Sequence, residues 1–280
     1  MILTPGSDVA LLLVSVAAGL LGALGGVGGG LIVVPVLTII FGVDIHLAAG
    51  ASIVAVIATS SGAGVAFVRD GLANIRIAMF LGWATAIGAI VGALAASELP
   101  ASVLLLVLAA VLLVSVAMQL LRLSEEPGSE PLPAHDRFRL SGSYYSIRLR
   151  SEVPYASRRV PLGLALMAVA GVVSGLLGIG SGAVKVLAMD GAMRLPMKVS
   201  SATSNLMIGV TAAASVGIYL ARGYVDARLA APVALGILIG ALVGARMLGR
   251  LTNRNVRVIF IPVLLAIAVE TLLRGLGVGA

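Results

Sequence analysis

The chain has 280 residues, of which 60% are hydrophobic and 11% are charged, and its formal net charge at pH 7 is +7. Soluble proteins carry roughly 25% charged residues, so this composition is typical of an all-α polytopic membrane protein. The excess arginine indicates loops on the cytoplasmic side of a membrane, and we expect no nucleic-acid partner. The absence of cysteine excludes thiolate chemistry, and two histidines exclude a histidine cluster, so we expect no metal and no other cofactor.

The first apolar segment, residues 9–24, runs into the glycine-rich stretch GGVGGG at 25–30, and a second apolar segment follows at 31–42. Each interior glycine costs a helix roughly 1 kcal/mol relative to alanine, so the stretch predicts a break in the helix. Residues 1–8 contain no lysine or arginine, and the first segment has a counterpart in the second half of the chain. We therefore expect it to belong to the mature fold and not to a signal peptide.

Three longer apolar segments complete the first half, at 47–68, 77–97 and 101–121. A polar linker rich in proline, serine and arginine follows at 123–160. Within it, RFRLSGSYYSIRLR at 137–150 alternates apolar residues with arginine around a Ser-Gly pair, which is compatible with a short β-hairpin. A tether that lies on anionic lipid headgroups is the favoured interpretation of the linker, and the hairpin is the alternative.

The second half repeats the first without a gap at an offset of 152 residues (178 − 26). Polar pairs in one register are hard to produce by biased composition alone, so the sequence indicates a duplication. Three units follow: a first transmembrane repeat at 1–122, the linker at 123–160 and a second transmembrane repeat at 161–280. The register pairs Gly26 with Gly178, Ser52 with Ser204, Thr59 with Thr211 and Arg76 with Arg228.

The glycine-rich stretches are either breaks in long helices or the tips of re-entrant hairpins. With hairpins, each half has five membrane segments, and the lysines and arginines divide fifteen to three between the two sides. With single long helices the division is twelve to six, so the hairpins are favoured. An odd number of segments makes the repeats inverted, with the N-terminus outside, the linker cytoplasmic and the two glycine tips meeting near the bilayer midplane.

The glycine tips are the predicted binding site. Irregular backbone inside a membrane must be buried by protein or must line a polar cavity, and a following helix offers free N–H groups to an anion. Close helix packing is the alternative, and it suffices for Gly88, Gly92, Gly240 and Gly244, which are spaced four apart. The candidate backbone donors are Gly28, Gly29, Gly30, Gly180, Ser181 and Gly182.

Lys185 lies three residues after the second tip, where the first half has Val33. A lysine within the hydrocarbon is costly unless it is paired or functional, so an anionic substrate is its predicted partner and snorkelling to the interface is the alternative. Asp190 is off its helical face and is a poor partner. Ser52, Thr203, Ser204 and Asn205 are candidate hydrogen-bonding residues, with helix N-capping as the alternative for the last three.

These residues resemble the TauE/SafE sulfite-exporter family, also called TSUP. The resemblance rests on GVGGGLIVVP at 26–35, GIGSGAVKVL at 178–187, the Ala-Thr-Ser element at 202–204 and two similar halves joined by a polar linker. It implies a multi-pass protein of the bacterial inner membrane that moves sulfite, thiosulfate or organosulfonates such as sulfoacetate. Ser181 and Leu187 depart from the family pattern, where glycine and proline are usual, and they leave the substrate preference open.

The combined prediction is a secondary transporter, an exporter of small sulfur-containing anions that works by alternating access. A passive anion channel, or a permease for another small organic anion, is the alternative. We predict no enzymatic activity, because the apolar core offers no nucleophile–base pair. If a proton is coupled to transport, Asp190 or Glu270 are the candidates to carry it, although an ion pair with Arg274 explains Glu270. The partners are the anion and the lipid bilayer, and a homodimer is one arrangement considered.

Overall fold

The computed structural model describes residues 5–25, 28–121, 138, 140–146, 150–248 and 253–278. Helices make up nearly all of these ranges, and one antiparallel pair of strands lies in the linker. The helices are α1 (Pro5–Gly25), α2 (Gly30–Ile39), α3 (Ile45–Arg69), α4 (Ile75–Ala96), α5 (Ala101–Leu121), α6 (Val160–Leu177), α7 (Gly182–Val186), α8 (Met197–Ala221), α9 (Ala227–Leu248) and α10 (Asn253–Gly275). A π-helix, Leu187–Ala192, continues α7, and the strands are β1 (Gly142–Ser146) and β2 (Ser151–Tyr155).

Five of the described helices are long and apolar enough to cross a membrane, by length and composition. They are α3, α4, α6, α8 and the first eighteen residues of α9. Shorter apolar helices lie within α1, α2 and α5. The expected all-α polytopic class is confirmed.

Helices of the first half pack against helices of the second half along faces that are lined with glycine. α4 packs along α6, where a Cβ atom on Gly88 or Gly92 would collide with the carbonyls of Ala168 and Val172. Such close approach of two backbones requires a residue without a side chain, so the packing explanation for these glycines is confirmed. The equivalent glycines of α9 meet α1 in the same way, Gly240 against Val16 and Gly244 against Leu20.

Contacts at the helix ends define two faces of the bundle. At the linker face, Asn74 before α4 donates its side-chain N–H to Leu140 O and to Tyr155 Oη of the linker. At the opposite face, Arg274 at the end of α10 donates to the carbonyls of Thr38 and Ile39 at the end of α2. Arg274 also makes the expected ion pair with Glu270, with Nε and Oε1 3.0 Å apart.

Equivalent helices of the two halves begin at opposite faces. Residues further along α1 contact residues further along α9, so the two helices run parallel. The contacts between α4 and α6 follow the same order, so these helices are parallel as well. α9 starts at the opposite face and α4 at the linker face. α1 therefore starts at the opposite face and α6 at the linker face, an arrangement compatible with inverted repeats, whose inversion stays a prediction.

Both glycine-rich stretches reverse the chain. In the first half, Gly29 lies against Gly22 of α1, so α2 folds back onto α1. In the second half, the Met193 side chain lies against Gly163 near the start of α6, and Met193 O accepts a hydrogen bond from Arg158 N at 3.0 Å. The expected hairpins are present, although residues 26 and 27 lie outside the described part of the chain.

The linker forms a β-hairpin, but not with the expected turn. Gly142 pairs with Tyr155 and Ser146 with Ser151, so the turn falls between residues 146 and 151 and the Ser-Gly pair lies where β1 begins. The physical reason is packing: Leu140 and Tyr155 are buried against α4 and α6, which fixes the strands at these positions. The hairpin thus packs on the linker face of the bundle.

Candidate functional site

The two glycine tips meet at the centre of the bundle. A Cβ atom on Gly30 would lie 3.1 Å from Ile179 O of the second tip and 2.7 Å from a methyl group of Val56. Val56 lies midway along α3, and Ile208, midway along α8, borders both Gly28 and Gly180. The tips are therefore enclosed between α3 and α8, far from either face.

The backbone at the tips adopts conformations that favour glycine. Gly28 has φ +80° and Gly180 has φ +72°. Ser181 also lies in the left-handed region, with φ +41°, and its hydroxyl donates to Ala170 O on α6. The Ser181 side chain is therefore engaged by α6, and only its backbone N–H remains a candidate for substrate binding. The helices after the tips begin at Gly30 and Gly182, so their first N–H groups have no partner within the helix.

Ser52 and Ser204 occupy equivalent positions beside the two tips but differ in hydrogen bonding. Ser204 Oγ donates to Gly182 O at 3.2 Å. Ser52 Oγ lies next to Gly30, the residue equivalent to Gly182, yet it is completely buried and has no hydrogen-bond partner. Buried hydroxyls are usually paired, so an unpaired one at the junction of the tips indicates a position that a ligand atom or water can complete.

Lys185 is completely buried after the second tip. Its Nζ donates to Thr211 Oγ1 of α8 at 2.7 Å, and that oxygen lies 3.3 Å from Thr85 Oγ1 of α4. Among the described residues, no carboxylate lies within 4 Å of the ammonium group. A buried charge with a hydroxyl partner alone is costly, and a bound anion would reduce that cost.

Two of the sequence candidates have hydrogen bonds away from the tips. Thr203 Oγ1 accepts from Asn74 N at 3.0 Å, which ties α8 to the linker face. Asn205 Nδ2 donates to Ser201 O of its own helix at 3.0 Å. The structure thus joins Ser52 and Ser204 to the tips but directs Thr203 and Asn205 elsewhere, and substrate contact by these two side chains stays a prediction.

Ser60 is a neighbour of the site that sequence reasoning missed. Its hydroxyl donates to Asn205 O at 2.6 Å and accepts from Gly209 N at 3.0 Å. These two groups of α8 bond directly to each other in a regular helix, so the Ser60 hydroxyl contacts both ends of one step of the helical ladder. Its equivalent in the second half is Ala212. Its place in the polar run Thr59-Ser60-Ser61 within an otherwise apolar helix was the available signal.

Comparison with known proteins adds two findings. The sequence profile described as "Sulfite exporter TauE/SafE" matches residues 11–271. The chain is also 30% identical over 214 residues to the "Probable membrane transporter protein YdhB" of Bacillus subtilis (strain 168), covering 76% of this chain and 79% of that protein. No solved structure matches the chain significantly.

Proposed function

Since the chain belongs to the TauE/SafE sulfite-exporter family of membrane transporters, we propose that it is a secondary transporter for small sulfur-containing anions such as sulfite, thiosulfate and organosulfonates. Its family is one of transporters and not of enzymes. We propose export across the bacterial inner membrane on the basis of the family description, with the N-terminus outside and the linker in the cytoplasm.

The buried Lys185 is the observation that carries this proposal. Its ammonium group lies at the centre of the bundle with only a hydroxyl partner, close in sequence to a tip whose helix N-terminus carries partial positive charge. A cation or metal substrate would be repelled there. An anion would bind the backbone N–H groups of residues 28–30 and 180–182, with Lys185 supplying charge and Ser52 the unpaired hydroxyl.

The interleaved, oppositely oriented halves support alternating access as the mechanism. If the two halves exchange their conformations, the glycine tips change from being open to one face of the bundle to being open to the other. We propose that the two conformations differ at the contact between α3 and α8, because these helices enclose the tips. Ser60, bonded to both ends of one step of α8 beside this contact, gives that helix a weak step about which to bend.

Counterflow in proteoliposomes tests the proposal. Vesicles loaded with unlabelled sulfite, thiosulfate, sulfoacetate or sulfate are diluted into the labelled anion, and uptake is followed over time. A transporter gives transient, saturable accumulation of its own substrates, whereas a channel gives only equilibration. Accumulation that Lys185→Met abolishes would support the anion carrier. If folded protein exchanged none of these anions, the sulfur-anion assignment would fail.

A passive anion channel is the alternative. It would use the same buried lysine and the same glycine tips, and it predicts flux that rises linearly with anion concentration. The meeting of Gly30 with Ile179 argues against a channel, because the described parts of the two tips pack against each other at the centre of the bundle.

A further inference from the structure

His46, in the first turn of α3, contacts oxygen acceptors through both ring nitrogens. Its Nδ1 is 3.0 Å from Asp44 Oδ1, and its Nε2 is 3.1 Å from Ala96 O at the end of α4. An ionised carboxylate and a backbone carbonyl accept hydrogen bonds but cannot donate them. A neutral imidazole donates from one nitrogen only, so both hydrogen bonds exist together only when the ring is protonated.

The surroundings of the ring suit a positive charge. Asp44 places a carboxyl oxygen against one side of the ring, and the last carbonyls of α4 form the negative end of a helix dipole on the other. Of the other groups nearby, the Tyr224 ring stacks on His46 with centroids 5.0 Å apart. Other charged groups described at this face have contacts of their own: Glu98 pairs with Arg222, Glu270 pairs with Arg274, and Asp226 accepts from the backbone N–H of Arg228, whose side chain is exposed.

His46 lies directly above the second tip on the side of the opposite face. The carbonyl of Ala49, one turn further along α3, packs against Gly178 so closely that no Cβ atom would fit there. On the other side, Tyr219 contacts Tyr224 and donates from Oη to Gly175 O at 2.8 Å, in the last turn of α6. Of the two hydrogen bonds of His46, the one to Ala96 O joins α3 to α4, the helix that packs against Gly175 just before this tip.

We propose that His46 and Asp44 form a proton-binding site at the opposite face, and that the bound proton holds α3 and α4 together over the second tip. This inference rests on the proposed transport function and names the proton as the coupling ion. When the proton leaves Nε2, the remaining ring hydrogen stays on Nδ1 beside the Asp44 carboxylate, the hydrogen bond to Ala96 O is lost and this side of the site can open. The equivalent residue of the second half is Lys198, an exposed and permanently charged side chain, so only one face carries the proton site.

Cysteine labelling tests the opening directly, because the natural chain has no cysteine. Ser52→Cys places a thiol at the tips with little change in shape, and Val278→Cys places one on the exposed surface of the opposite face. A membrane-impermeant maleimide is applied to proteoliposomes between about pH 8 and about pH 5.5, the range over which histidine changes charge. The ratio of the two labelling rates cancels both protein orientation and the pH dependence of the reagent.

The labelling rate at Ser52→Cys, divided by the rate at Val278→Cys, is expected to fall about tenfold towards acid pH, because a charge-assisted hydrogen bond forms and closes this side. In the His46→Gln background, which keeps an amide donor but binds no proton, it should stay constant. Asp44→Asn keeps the acceptor oxygen but removes the charge, so the fall should move to lower pH. A constant ratio with His46 present, or the same fall in His46→Gln or Asp44→Asn, would overturn the proposal.

Coupling to transport has its own test. His135→Gln leaves His46 as the only histidine, and its ring nitrogens can be titrated by NMR with and without methanesulfonate, whose charge is constant over this range. Linkage predicts that the bound anion shifts the titration midpoint by about half a unit or more. No shift, although calorimetry shows binding, would overturn the coupling. If calorimetry showed no binding of any sulfur anion, the proposed function would fail, and labelling would still decide the proton site.

Discussion

Lys185 donates a hydrogen bond to Thr211 across 2.7 Å, and both side chains are completely buried. The Thr211 hydroxyl donates in turn to a carbonyl of its own helix, so its oxygen is free to accept from the lysine. The equivalent pair in the first half is Val33 and Thr59, and Thr59 makes the same bond within its helix without any lysine nearby. The two repeats therefore share a threonine hydroxyl at equivalent positions, but only the second repeat places a lysine beside it.

Lys185→Met should lower the affinity for a transported sulfur anion about a hundredfold, because a hydrogen bond to a charged group is lost. The melting temperature should be unchanged or higher, because the buried charge no longer has to be desolvated. Isothermal calorimetry and thermal unfolding in detergent measure both. Val33→Met, at the equivalent position of the first half, is the matched control and should keep its affinity. Equal affinities for wild type and Lys185→Met would remove the lysine from the site.

Ser52→Ala and Ser204→Ala should separate binding from stability. Ser52 has no hydrogen-bond partner to lose, so its replacement should weaken anion binding and leave the unfolding temperature unchanged or raised. Ser204 is bonded to Gly182 O, so its replacement should cost about 1 kcal/mol of stability. Both variants are measured by calorimetry and by thermal unfolding. Loss of stability in Ser52→Ala without loss of affinity would mean that this hydroxyl is structural.

Gly180→Ala should abolish counterflow. The residue has φ +72°, where an L-residue is strained by roughly 1–2 kcal/mol. Its new Cβ atom would also lie 2.6 Å from a methyl group of Ile208. The matched control is Gly217→Ala, on an open surface of α8, where alanine should raise helix stability slightly. Normal counterflow by Gly180→Ala would show that the second tip needs neither this conformation nor this space.

Ser60→Ala should slow transport without changing anion affinity. With the hydroxyl gone, Asn205 O and Gly209 N no longer share hydrogen bonds with α3, and we expect α8 to be stiffer at that step. The expected result is a counterflow rate reduced several-fold with an unchanged dissociation constant. Ser61→Ala serves as the neighbouring control, since Ser61 bonds only to Ile57 O of its own helix. A normal rate in Ser60→Ala would exclude bending at this step.

Alkaline pH should release the linker hairpin from the bundle. Burial raises the pKa of the Tyr155 phenol above its usual value of 10.0, while the hydrogen bond from Asn74 partly offsets the shift. With a pKa higher in the docked than in the released state, the contribution to docking is full below pH 10 and is lost as the pH rises through the raised value. Tyr155 should therefore ionise as the hairpin releases.

Limited proteolysis of the linker at increasing pH measures this release. Cleavage should accelerate above about pH 10 in the natural protein, the reference value for tyrosine. Tyr155→Phe should lose this pH dependence because it has no proton to release, whereas Tyr145→Phe, an exposed position on β1, should behave like the natural protein. Identical profiles for all three proteins would show that Tyr155 does not control docking.

The sequence alone could predict the hairpins and the helix-packing glycines, because both depend on residues that recur at a constant offset. Gly88 and Gly240 are equivalent residues, and the backbone carbonyls that they contact also lie 152 residues apart in the sequence. It could not predict the partners of Thr203 or the difference between Ser52 and Ser204, because these depend on where loops far apart in the chain come together. His46 gave no signal either, since its acceptor on α4 is a backbone carbonyl that any residue supplies.

The pairing of α1 with α9 and of α4 with α6 also constrains how the protein is made. When the ribosome has completed the first half, the glycine face of α4 has no partner, because α6 begins 64 residues after α4 ends (160 − 96). The separation between α1 and its partner α9 is longer still. Neither half has a complete interior by itself, so lipid or the insertion machinery must cover the glycine faces of α1 and α4 until α9 and α6 have been inserted.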